Sequence, residues 1–277
     1  MMKWLYFILS HSLFISFCAV AMSFQTLLLL HGRADIYLYG FIFFATLCSY
    51  NFYWLLCRYS LNDRPVLSDF LQKELPEILL LLISAAGLMV CFLLSRLDYP
   101  PVITSIFLTM LYSLPLLPFR FLQFTRKAGI LKTTLLAFTW TYVTAFIPLQ
   151  KQVVLLSNGE WFIMSRRFLF MLMLCIIFDS RDISVDKIRG LRSLATDLSP
   201  KTLRYLILII FILLFATNFL FHYFGVSIAQ TIALQVSTIA LLIAYYYSTK
   251  KQCYLFYYFF IDGLMIFSAL TTYLASI

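Results

Sequence analysis

Three aspartates carry the most specific chemistry in this chain. Asp179, Asp182 and Asp186 follow the spacing D-x-x-D-x-x-x-D within Phe178 to Leu194, which reads F-D-S-R-D-I-S-V-D-K-I-R-G-L-R-S-L. On a helix, steps of three and four at roughly 100° per residue place all three carboxylates in one narrow stripe. Like charges on one stripe repel, so the arrangement makes sense if a cation fills the gap. Hard oxygen ligands suit Mg²⁺, which usually binds through a few carboxylates plus substrate phosphates. We therefore expect Asp179, Asp182 and Asp186 to act as catalytic metal ligands. The plainer reading is a solvated helix end whose charges are offset by Arg181, Lys187, Arg189 and Arg192. The spacing favours the metal, and so does the apolar run Phe168 to Phe178, which puts the stripe where a membrane helix meets water.

The elements that must position this stripe are membrane helices. The chain is 62% hydrophobic and only 12% charged, against roughly 25% charged in a soluble domain. Many apolar runs approach the roughly 20 residues that cross a bilayer, and the alternation expected of a barrel is absent. This predicts an all-α polytopic membrane protein, with residues 1–277 forming a single integral-membrane domain and the first helix retained as a span. Nine spans are expected, at about 5–30, 36–57, 76–95, 100–119, 130–149, 161–179, 203–224, 227–247 and 254–277. Of the 21 Lys and Arg, all but Arg33, Arg96, Lys151, Arg166 and Arg167 fall on one side. The positive-inside bias then places the N-terminus and the aspartates in the cytoplasm, fitting a bacterial inner membrane best. Arg166 and Arg167 fall inside the sixth span; either the helix starts later than drawn or the two line a cavity.

Other residues narrow the function. The six cysteines stand singly and form no C-x-x-C pair, which points to small membrane hydrophobes with no zinc or disulfide framework. The net charge of +9 is accounted for by membrane sidedness, so no nucleic-acid partner is expected. The exits of spans two, four and six share one face, bringing clustered carboxylates together with basic side chains. A diphosphate wants divalent metal to bridge its oxygens and Lys or Arg to neutralise the rest. Simple adhesion to anionic headgroups would need the basic residues alone. Asp262, followed by Gly263, lies within the ninth span and is either functional or a helix–helix hydrogen-bonding group. His11, His31 and His222 share no metal-ligand spacing.

The stretch D-S-R-D-I-S-V-D-K-I-R-G-L-R-S-L resembles the second aspartate-rich motif of the UbiA-type intramembrane prenyltransferases. Gly190 falls at the family's glycine, and Ser193-Leu194 stands where Thr-Leu is usual. Leu111-Tyr112-Ser113-Leu114-Pro115 resembles the family's Tyr-Ser-x-Pro segment, and Lys127 to Thr144 resembles the start and body of its fifth helix. The resemblance implies nine transmembrane helices around a central cavity. It implies Mg²⁺-dependent transfer of a prenyl group from a polyprenyl diphosphate to a lipid-soluble acceptor among the membrane lipids. It also nominates Asn51, Arg58, Tyr112, Lys127, Lys132 and Arg189 for the diphosphate. The first motif departs from the family: Asn51 is kept, but Phe52, Leu55 and Tyr59 stand in place of three aspartates. The nearest later carboxylate is Asp63. That loss sustains an alternative, a non-catalytic paralogue that binds an isoprenoid lipid or serves as a partner subunit.

Overall fold

The computed structural model describes residues 2–33, 35–61, 73–95, 97–113, 129–150, 158–189 and 192–277. Every regular element among them is helical. In hydrocarbon no water pairs with backbone N–H and C=O groups, so an apolar chain satisfies them within helices. The chain divides into two compact units, Met1–Val20 with Ala34–Thr125, and Ala21–Arg33 with Arg126–Ile277.

The first unit contains α1 (Met2–Ser10), the opening of α2 (Leu13–Leu29), α3 (Ile36–Leu61), α4 (Leu75–Ser95) and α5 (Tyr99–Ser113). Its principal packing is α3 against α4. The two backbones approach where side chains are small: a Cβ on Gly87 would come within 2.7 Å of the Phe44 ring. Small residues allow such approaches between membrane helices, whose association is driven largely by packing.

The second unit holds the rest of α2 and six further helices. α6 (Gly129–Thr141) continues through a π-helical turn, Tyr142–Phe146, into Ile147–Gln150. α7 (Asn158–Arg189) is the longest, and a single turn, α8 (Leu194–Asp197), follows it. Then come α9 (Pro200–Leu220), α10 (Ile228–Ser248) and α11 (Asp262–Leu274), the last preceded by a π-helical turn, Phe256–Ile261. Local chemistry sets the starts of α9 and α10. Ser199 accepts from the Thr202 N–H with Pro200 in the first turn, and Ser227 and Gln230 form a capping box.

Among the described residues seven helices are long and apolar enough to cross a membrane, and an eighth if the bent α1–α2 pair is one span. The expected first span is therefore not straight. α1 and α2 meet at 68°, because Ser12 adopts a left-handed conformation with φ 62° and breaks the ladder. The expected fourth span shows 15 helical residues as α5, and its continuation, 114–119, lies outside the described residues. The sixth span is longer than drawn, beginning at Asn158 and running past all three aspartates to Arg189. A later helix start for Arg166 and Arg167 is thus excluded.

Both arginines are buried, at 2% and 1% exposure. Arg166 Nε donates to Asn218 Oδ1 at 2.7 Å on α9, and Asn218 Nδ2 in turn donates to Gln235 and Thr238 on α10. Arg167 Nη2 donates to Met22 O at 2.8 Å and Thr26 Oγ1 at 2.9 Å on α2. These polar groups tie α7 to three neighbours in the interior of the second unit.

Candidate functional site: the aspartate stripe of α7

The stripe is helical throughout, as its spacing predicts. Asp179 leaves the buried stretch of α7 that ends near Ile177. Its Oδ2 accepts a hydrogen bond from Thr133 Oγ1 on α6. The same Thr133 oxygen accepts from the Leu194 N–H at 3.0 Å, at the first residue of α8. One hydroxyl thus joins α6, the first aspartate and the turn that follows the motif. The close approach depends on Gly129: a Cβ there would lie 2.6 Å from Ser193 O and 2.7 Å from Ser193 N. Ser193-Leu194, the pair at the family's Thr-Leu position, therefore docks the turn onto α6.

Asp182 is engaged differently. Arg181 holds both of its oxygens, Nε to Oδ1 at 2.7 Å and Nη2 to Oδ2 at 2.8 Å. The guanidinium is itself caged by rings: its carbon lies 5.0 Å from the Phe178 centroid and 4.9 Å from those of Tyr257 and Tyr258. Both tyrosines belong to the π-helical turn before α11. The wide turn brings two consecutive rings to one cation, and π-helical turns often occur at functional sites. Asp262, the first residue of α11, is buried and within electrostatic reach of Arg181.

Asp186, the third carboxylate, is 7% exposed. Lys132 neighbours Thr133 on α6 and lies within electrostatic reach of Asp179. Arg189 ends α7, but its side chain lies outside the described residues, as do Lys127, Asp63 and Gly190.

The remaining expected residues belong to the first unit. Asn51 is buried, and its Nδ2 donates to Leu47 O at 2.8 Å and His11 O at 3.4 Å, so its amide is spent on backbone carbonyls. Arg58 pairs with Glu74, and with Glu77 at 3.1 Å, giving its charge two local carboxylate partners. Tyr112 stacks on Tyr53 with centroids 5.4 Å apart.

The donor set can be weighed against Mg²⁺. Hard oxygens one turn apart have the right chemistry, and one or two carboxylates plus phosphate oxygens suffice. A preformed cage is a different matter: among the described residues no three His, Cys, Asp or Glu groups come together to hold an ion. Asp182 is engaged by Arg181 and Asp179 by Thr133, so an ion here would draw most of its ligands from phosphate oxygens.

Thr133, Gly129, Tyr257 and Tyr258 were not among the expected site residues. Thr133 and Gly129 do lie within the Lys127 to Thr144 stretch that resembles the family's fifth helix. Nothing marks Tyr257 and Tyr258 among 18 tyrosines.

No family profile matches the chain, and no curated protein matches it significantly. Solved structures do. The apo structure of a UbiA homologue from Aeropyrum pernix K1 aligns at a TM-score of 0.58 and 13% identity, covering 94% of this chain and 96% of that one. A structure of digeranylgeranylglyceryl phosphate synthase aligns at 0.58 and 14% identity, covering 100% and 99%. The chain is a multi-pass helical membrane protein with the UbiA-type fold.

Proposed function

We propose that this protein is a UbiA-type prenyltransferase that moves a prenyl group from a polyprenyl diphosphate to a lipid-soluble acceptor within the membrane. The observation that carries the reading is the helical stripe Asp179, Asp182 and Asp186 beside Lys132, on a UbiA-type fold. In such a reaction the bond between the allylic carbon and the diphosphate oxygen breaks, with both electrons leaving on the diphosphate. An acceptor atom then bonds to the allylic carbon and gives up its proton. The protein's task is electrostatic: it stabilises charge that develops on the departing diphosphate. Lys132 supplies positive charge, and Thr133 fixes the orientation of Asp179. Asp179 and Asp186 would contribute carboxylate oxygens to Mg²⁺, which when bound would neutralise phosphate oxygens. The positive-inside bias puts this face in the cytoplasm.

A second reading rests on one specific observation. The exit of α3 carries Phe52, Leu55 and Tyr59 where family members have acids, and Arg58 there is paired with glutamates. A non-catalytic protein that binds an isoprenoid lipid or serves as a partner subunit would have this composition. The test is incorporation of a radiolabelled prenyl group into the lipid extract of membranes containing the protein. Label appearing with the wild type and absent with Asp179→Asn supports transfer. Binding of the diphosphate without labelled product, across quinone-precursor, glycerol-phosphate and porphyrin acceptors, favours the second reading.

A further inference from the structure

We propose that Arg181 is the resident cation of the aspartate motif: it takes the place of a metal ion at Asp182 and itself binds the incoming diphosphate. The inference rests on the reading of the site as a diphosphate site.

Three observations converge on this residue. Both Asp182 oxygens are committed to Arg181 in a bidentate pair, the geometry in which guanidinium recognises carboxylate most strongly. The guanidinium is fixed in place by three aromatic faces, from Phe178 on its own helix and from Tyr257 and Tyr258 on the turn before α11. A cation so positioned does not need to be gathered from solution, and its charge is permanent. Finally, the pair is not sealed: the Arg181 and Asp182 side chains remain 23% and 39% exposed. Asp182 takes two of the five guanidinium N–H donors and Tyr258 engages the group through a further side-chain hydrogen bond, so donors on its partly exposed side remain to meet an oxyanion.

Structural neutralisation alone does not require this design. A flexible lysine, or the neighbouring Lys187, would offset the stripe's repulsion without a three-ring cage. The cage costs Arg181 its freedom, and what it gains is a fixed position at Asp182, within the aspartate motif. Mg²⁺ would act at the stripe's other carboxylates, so diphosphate binding should have a metal-independent component from Arg181 and a metal-dependent component from the rest.

The experiment is thermal stabilisation of the detergent-purified protein by geranylgeranyl diphosphate, in excess EDTA and in Mg²⁺, because a ligand that binds the native state raises its apparent stability. The wild type should keep a measurable stabilisation in EDTA, and Mg²⁺ should increase it. Arg181→Gln should lose the EDTA component, an affinity loss of about tenfold to a hundredfold for a charge-assisted contact, and should recover binding only as Mg²⁺ is raised. Arg181→Lys, which keeps the charge but not the fork, should fall between the two. Wild-type stabilisation that disappears in EDTA and is unchanged by Arg181→Gln in Mg²⁺ overturns the role of Arg181 and leaves the diphosphate site standing. No stabilisation of the wild type in either condition overturns both. If Arg181→Gln does not fold, the Arg181→Lys titration decides: an affinity in EDTA equal to the wild type contradicts the proposal.

Discussion

Thr133 donates its hydroxyl hydrogen to Asp179 and receives the N–H of Leu194 on the same oxygen. The first aspartate is therefore oriented by a residue of another helix, and the turn after the motif is anchored to the same point. Thr133→Ala removes both interactions and leaves a buried N–H unpaired, at a cost of about 1–3 kcal/mol. Thr133→Ser keeps the oxygen and should retain most of the stability. Melting curves of the two variants in one detergent check this, and equal losses would contradict it.

Gly129 allows that anchoring. A methyl group at this position would press on the Ser193 backbone at 2.6 Å, and backbone does not give way as a side-chain tip would. Gly129→Ala should destabilise by about 1–3 kcal/mol and weaken diphosphate binding with it. Gly159→Ala is the matched control, since its nearest neighbour is a Phe224 ring atom at 3.3 Å. A wild-type melting temperature for Gly129→Ala would refute the packing argument.

The buried arginines predict coupling. Asn218→Leu leaves buried Arg166 without its side-chain acceptor, which should cost about 3 kcal/mol, the upper end for a stranded buried polar group because this one is charged. In an Arg166→Met background the same substitution should cost less, because no charge is left stranded. The coupling should be about 1–3 kcal/mol. Additive losses in this double-mutant cycle would show that the hydrogen bond carries no energetic weight.

Sidedness can be read from one natural cysteine. Cys253 is exposed, whereas the other five are buried or half-buried. With the aspartates in the cytoplasm, Cys253 falls on the same side, beside Lys250 and Lys251. A membrane-impermeant maleimide should then label inside-out vesicles and not right-side-out cells. The opposite pattern would invert the topology.

The helices and the stripe were legible in the sequence because both depend on spacing along the chain. Apolar runs of bilayer length mark most spans, and the step from Asp179 to Asp182 to Asp186 marks a helix face. Features that depend on a partner from elsewhere were not legible. Arg181 could be read as a charge offsetting the stripe, which it is, but its ring cage comes from Tyr257 and Tyr258, more than seventy residues away. Arg166 and Arg167 resembled a misplaced helix start, because their acceptors, Asn218, Met22 and Thr26, lie on other helices. The bend at Ser12 escaped because serine is common in straight membrane helices, and only its positive φ reveals the break.

The measurement that bears most directly on the account is whether the purified protein recognises a polyprenyl diphosphate through the α7 stripe. Wild type and Asp179→Asn would be titrated with geranylgeranyl diphosphate and with geranylgeraniol in Mg²⁺, with the melting temperature followed at each step. The account predicts that the diphosphate stabilises the wild type, that the alcohol does so much less, and that Asp179→Asn removes the difference between them. Equal stabilisation by the alcohol and the diphosphate, or a full response in Asp179→Asn, would contradict it.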